Sequence, residues 1–207
     1  MLLFNLLNNP LMFFGFIIAL LVAITIHEFA HAWVANLYGD PTAKLMGRLS
    51  LNPFVHLDLM GTIFLLLAGF GWGKPVMVNP RNFKNPRIDN LTVSLAGPIS
   101  NLLLAIFVGL IYRFINLPNS LEQIIFLLIF FNLVLMIFNL IPIPPLDGSK
   151  ILALFTSEET FLKLQQIGIP LLFLIIILSS FVPIIPILMS KTVGFFFTLI
   201  TGKPIIL

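Results

Sequence analysis

Cysteine is absent from this chain, which excludes disulfides and thiolate metal sites. Histidine and carboxylate are therefore the strong zinc-type ligands that remain. Charge is scarce as well. Of 207 residues only 9% are charged, whereas a soluble domain carries about a quarter. With 59% hydrophobic residues and a mean hydropathy of +1.10, the chain reads as an integral membrane protein. Net charge is +3, but for such a chain the placement of Lys and Arg matters more than their sum. Nothing supports nucleic-acid binding. A basic n-region is missing at the N-terminus, and the apolar run there continues without a break, so a membrane anchor is expected rather than a cleaved signal. There is no internal repeat or low-complexity tract, and the length suits a single membrane domain over 1–207.

Against this background a few ionisable residues stand out. Ile24-Thr25-Ile26-His27-Glu28-Phe29-Ala30-His31 sets two histidines and a glutamate inside an apolar run. Residues four apart share a helix face, so His27 and His31 can reach one ion with Glu28 beside them. This is the H-E-x-x-H zinc pattern, in which the glutamate is placed to deprotonate a water in the open coordination position. Ionisable groups in hydrocarbon cost several kcal/mol, so they are functional by default.

Taken in order, Pro10 can open a first span from about Leu11 to Tyr38, stopped by Gly39-Asp40-Pro41. The alternation Arg48-Leu49-Ser50-Leu51 predicts a short strand or hairpin within 42–56. Leu57 to Trp72 is apolar but only 16 residues long and broken by glycines, so it is expected to be re-entrant or membrane-embedded. A basic loop follows. Asp89 or Asn90 then caps a helix from about Leu91 to Phe114, in which Ser94, Gly97 and Ser100 permit close helix approach and Asn101 is aimed at that contact or at a site. Ser120 and Gln123 have capping-box spacing for a span from about Leu121 to Leu140. The prolines of Asn139-Leu140-Ile141-Pro142-Ile143-Pro144-Pro145-Leu146-Asp147-Gly148 force the chain to unwind there. Glu158–Gln166 reads as a separate amphipathic segment, followed by apolar segments at about 167–181 and 187–200. The fold class is thus an all-α polytopic membrane protein, with about five transmembrane helices and a re-entrant or embedded hairpin between the first two. Lys and Arg counts put the N-terminus outside, the basic loops in the cytoplasm and, with five spans, the C-terminus in the cytoplasm.

A tetrahedral zinc site needs a third protein ligand. The candidates are His56, Asp40, Asp58, Asp89 and Asp147. Asp40 and Asp89 occupy ordinary turn and cap positions. Asp147 lies at the end of the unwound segment, where an unpaired carboxylate is expensive, and is preferred. His56 and Asp58, two apart, share a face if extended and are candidates for facing substrate or supporting the ligands.

The His27–His31 helix, the small-residue stretch from Ser94 to Asn101 and the Asn139–Gly148 segment together resemble the site-2 protease family of intramembrane zinc metalloproteases. The resemblance runs from about Leu11 to Gly148, making 11–148 the motif-bearing core and 157–207 additional helical segments. It is closest to the small prokaryotic branch, as there is no room for PDZ or CBS domains. It implies one Zn²⁺ per chain held by His27, His31 and Asp147, with Glu28 as catalytic base. Asn101 would lie near the site, and Asn139, His56 and Asp58 are further candidates for substrate or supporting contacts. The implied activity is peptide-bond hydrolysis within or near transmembrane segments of a membrane-protein substrate. The site would open to the cytoplasm of a prokaryotic cell membrane. Two other classes use the same cluster. One is a metal or proton transporter, which commonly shows paired repeats. The other is an inert adaptor with structural zinc, which usually has four protein ligands.

Overall fold

The architecture follows from the need of each apolar helix to satisfy its backbone internally while burying one stripe against its neighbours. In the computed structural model, residues 9–68 and 71–205 are described. The lead at 1–8 and Gly69 therefore fall outside the described residues. Helix α1 spans Pro10–Leu37, α2 Thr42–Leu45, α3 Leu59–Ala68, α4 Pro86–Phe114, α5 Asn119–Asn139, α6 Ser149–Phe155, α7 Glu158–Ser179 and α8 Ile184–Thr201. Single 3₁₀ turns lie at Pro53–Val55 and Pro80–Asn82. Five helices, α1, α4, α5, α7 and α8, are long and apolar enough to cross a membrane.

Helices α1, α4 and α5 form the centre. Small side chains let α1 approach: Ala19, Ala23, Ala32 and Ala35 are fully buried. Ala35 packs with Val93, and Ala23 with Asn101 further up, so α1 and α4 are antiparallel. Phe16 of α1 meets Phe131 of α5 edge-on at 5.1 Å. Helix α8 closes the far side through Val193, Phe197 and Ile200, which join Ala105, Val108, Tyr112, Ile129, Leu133 and Met136 in one core.

Several boundaries differ from expectation. Helix α4 begins five residues before Leu91, at Pro86, because proline suits the first helical turn and Asp89 accepts a hydrogen bond from the Asn85 amide at 2.9 Å. Residues 42–56 form a helical turn and a 3₁₀ turn, not a strand; the Leu57–Gly73 bridge is the sole extended pairing among the described residues. Ser120 makes no cap bond, and Pro118 stands at that position. Glu158–Gln166 is not a separate segment. It continues through Pro170 to Ser179 in one helix.

The ends of the chain correct a further expectation. Met12, Tyr112 and Glu122 line one cavity of about 290 Å³, and Lys203 pairs with Glu122 at 2.9 Å. Both ends of the described chain therefore lie at the same end of the bundle, whereas five alternating spans would separate them. Helix α8 ends beside the C-terminal end of α4, with Gly202 against Arg113 and Lys203 over the Tyr112 ring. Helix α7 does not join this core: 14 of its 22 residues are exposed, and its one buried residue, Gly168, sits against Pro144.

Between α1 and α4 the chain leaves and returns to one place. Leu57 pairs antiparallel with Gly73, the Lys74 amide donates to the His56 carbonyl at 2.8 Å, and Gly61 lies against the Trp72 carbonyl. The returning strand of chain, 73–79, then crosses the face of α1 that carries Glu28.

Candidate metal centre

Helix periodicity brings His27 and His31 onto the buried face of α1, their rings 4.6 Å apart. The third group arrives from 120 residues away. Helix α5 ends at Asn139, whose carbonyl accepts the Gly148 amide at 2.7 Å, and this closes the proline-rich loop so that Asp147 turns inward. Gly148 is needed there, because a Cβ would strike the Leu140 and Ile141 backbone. Asp147 Oδ2 lies 3.0 Å from His27 Nε2 and 3.3 Å from His31 Nε2, and the two Nε2 atoms are 3.0 Å apart. His27 and His31 are buried and Asp147 is half-buried.

Those distances can be tested against a metal. A tetrahedral zinc with bonds of about 2.0–2.1 Å has ligand–ligand edges of about 3.3–3.4 Å. The observed triangle is slightly contracted from that shape. The hydrogen-bond chemistry points the same way. His31 Nδ1 lies 2.7 Å from the Val93 carbonyl, which can only accept, so Nδ1 carries the proton and Nε2 a lone pair. His27 Nδ1 lies 2.6 Å from Asn101 Oδ1. Asn101 is oriented by donating Nδ2 to the Ala23 carbonyl at 2.9 Å and to Asn132 Oδ1 at 2.8 Å. His27 therefore donates from Nδ1 also. Two Nε2 lone pairs and a carboxylate oxygen then face one another with no proton between them, a repulsive set unless a cation joins it. The residues fit a zinc ion, and the outer acceptors are those that characteristically hold ligating imidazoles.

Gly97 lets α4 come this close. A Cβ at that position would run into His31 Nε2 and His27 Cε1. Glu28, one residue from His27 and half-buried, has Oε2 accepting the Val76 amide at 2.9 Å.

The other candidates lie elsewhere. Asp58 Oδ1 accepts the Gly61 amide at 2.8 Å, so it caps α3. His56 is fully buried, donates Nε2 to the Ser50 carbonyl at 2.8 Å, and has no partner at Nδ1 among the described residues. Asn139 donates its side-chain amide to the Leu135 carbonyl at 3.0 Å, and its role at the centre runs through its backbone. Asp40 is more than a turn residue. Completely buried, it accepts from the Thr42 hydroxyl, the Asn79 amide and Asn82 Nδ2 and so ties loop 79–82 to the end of α1. Burial works to raise its pKa, but these bonds win and hold it below the ordinary carboxylate range. Asn132 had no expected role. A polar residue in mid-span is the signal that could have drawn attention to it.

The fold and site define a polytopic membrane protein in which two histidines and an aspartate converge where they could hold a metal, with a glutamate beside them. The chain belongs to Peptidase family M50, whose family model matches residues 15–123 and 116–179. It is 49% identical over 160 residues to YwhC of Bacillus subtilis, named as a candidate zinc metalloprotease, covering 72% of this chain and 73% of that protein. To Rip2 of Mycolicibacterium smegmatis, named likewise, it is 32% identical, covering 73% of this chain and 62% of the relative. It is also 30% identical over 117 residues to the Regulator of sigma-E protease RseP of Escherichia coli, covering 51% of this chain and 26% of RseP. No solved structure matches.

Proposed function

We propose that this chain is an intramembrane zinc metalloprotease that cleaves peptide bonds within or near transmembrane segments of other membrane proteins. The observation carrying the reading is the convergence of His27, His31 and Asp147 on one point, with Glu28 on the next position of the same helix. In this reading the first three hold the ion and Glu28 is the base. Zinc, when bound, supplies the Lewis acidity that polarises a peptide carbonyl and acidifies water. The chain's own residues do the rest. Glu28 takes the proton from the attacking water and returns it to the leaving amine. Asp147 offsets the ion's charge, while Asn101 and the Val93 carbonyl hold the imidazoles in register.

The substrate is a transmembrane protein presented from the bilayer, locally unwound so that its peptide bonds are accessible. Residues 11–148 carry the site, and 157–207 belong to the same membrane domain. Lys44, Arg48, Arg81 and Lys84 lie in the segment between α1 and α4 and Arg87 in the first turn of α4, whereas Arg113 and Lys203 lie at the opposite end of the bundle. Under the positive-inside rule this distribution supports an N-terminus outside and a site open toward the cytoplasm of a prokaryotic cell membrane. Purified protein carrying Glu28→Gln tests the reading. Cleavage of a transmembrane peptide should vanish while one zinc per chain is kept; undiminished cleavage refutes it.

A further inference from the structure

We infer that Asn132 is a positioning residue for the metal centre, acting through Asn101 to hold His27 in the one tautomer that can ligate. The inference rests on the metal-centre reading above but not on the proteolytic one. Asn132 and Asn101 are both fully buried, on α5 and α4. Neither would be required for packing alone, where an apolar side chain of similar volume serves as well.

The orientation is fixed link by link from groups that can only accept. The Leu128 carbonyl takes Asn132 Nδ2 at 2.7 Å, which turns Asn132 Oδ1 toward α4. That oxygen accepts Asn101 Nδ2 at 2.8 Å, and the Ala23 carbonyl accepts the same nitrogen at 2.9 Å. With both amide hydrogens committed, Asn101 must present Oδ1 to His27 Nδ1, 2.6 Å away. His27 then carries its proton on Nδ1 and its lone pair on Nε2, 3.0 Å from Asp147.

Flipping the Asn101 amide would set its oxygen against the Ala23 carbonyl and Asn132 Oδ1 and turn its NH₂ to His27. His27 would answer with the other tautomer, placing N–H where the ion belongs. Asn132 is the side chain that makes the flip costly from α5, just as Ala23 does from α1. His31 has no share in this chain, because its Nδ1 proton goes to the Val93 carbonyl at 2.7 Å. It is thus an internal control.

The experiment uses full-length protein with ¹⁵N-histidine and reads the tautomer of each imidazole in the metal-free state, together with zinc affinity against a competing chelator. The chain has only three histidines, so assignment is simple. Wild type should show Nδ1–H at both His27 and His31. Asn132→Leu should populate a form lacking Nδ1–H at His27 alone and weaken zinc binding by about tenfold, the lower range for loss of an outer partner. Asn132→Asp, which when buried is protonated and so can donate its hydroxyl to the Leu128 carbonyl while keeping an acceptor for Asn101, should stay near wild type in both.

A folded Asn132→Leu with unchanged His27 and unchanged affinity overturns the inference. So do a joint shift of His27 and His31, which marks general loosening, and a loss in Asn132→Asp as large as in Asn132→Leu. Should Asn132→Leu fail to fold, wild type and Asn132→Asp decide. A wild-type His27 that lacks Nδ1–H yet still takes up one zinc overturns the lock and leaves the metal centre standing. Wild type that takes up no zinc sinks both.

Discussion

Asp147 Oδ2 stands 3.0 Å from His27 Nε2 although 120 residues separate them. Helix α1 supplies one partner and the proline-broken loop after α5 the other, so the contact reports on the whole bundle. Asp147→Asn removes the anionic ligand and keeps the size. It should weaken zinc binding by more than the roughly 10–100-fold that an outer partner costs, with cleavage falling in parallel. Glu28→Gln should reduce cleavage by about 10²–10⁴-fold, the worth of a general base, at unchanged zinc content. Metal analysis beside a peptide-cleavage assay reads both. Full zinc occupancy in Asp147→Asn would assign the third ligand elsewhere.

Gly97 is where α4 meets both imidazoles, and its missing side chain is the reason they fit. Gly97→Ala should displace His27 and His31 and abolish zinc binding, even though alanine is the better helix former. Gly194 in α8 has open space around its Cβ position. Gly194→Ala should therefore leave zinc untouched and be neutral or stabilising by up to about 1 kcal/mol. Thermal unfolding with and without zinc distinguishes the two, and equal behaviour of the pair would contradict the close-approach argument.

Asp40 fastens loop 79–82 to the end of α1. Because its folded pKa is depressed, the stabilisation it gives is complete above its ordinary value near about 4 and is lost as pH falls through the folded value. The loop should thus stay docked from about pH 5 upward and loosen only in stronger acid. Asp40→Ala should cost about 1–3 kcal/mol by orphaning its donors. Trypsin cutting after Arg81 or Lys84 is a direct readout: cleavage in the variant at neutral pH no faster than in wild type would speak against the clamp.

Lys203 beside Glu122 puts the chain's C-terminal end with its N-terminal end. Since the chain has no cysteine, single probes are unambiguous. Asn9→Cys and Pro204→Cys should react with an impermeant reagent from one face and Arg81→Cys from the other. Labelling of Pro204→Cys together with Arg81→Cys would restore five alternating crossings.

Composition and local pattern alone carried much of this. Scarce charge made the chain a membrane protein, the i, i+4 histidines needed only helix geometry to converge, and the prolines after Asn139 could not stay helical whatever surrounded them. These are short-range effects, decided within a turn or two of chain. What tertiary structure decided is what depends on which backbone lies opposite. Asp40 and Asp89 look alike as turn and cap carboxylates, but one became a buried clamp and the other a partner of the Asn85 amide at the start of α4. His56 went to the Ser50 carbonyl and not to the centre. Asn132 had no local signature beyond polarity. Its part follows from facing Asn101 across two helices, where an amide's direction is set by the carbonyls it meets. The direction of α8 was equally hidden, because hydropathy says that a helix can cross a membrane and not which neighbour it will run beside.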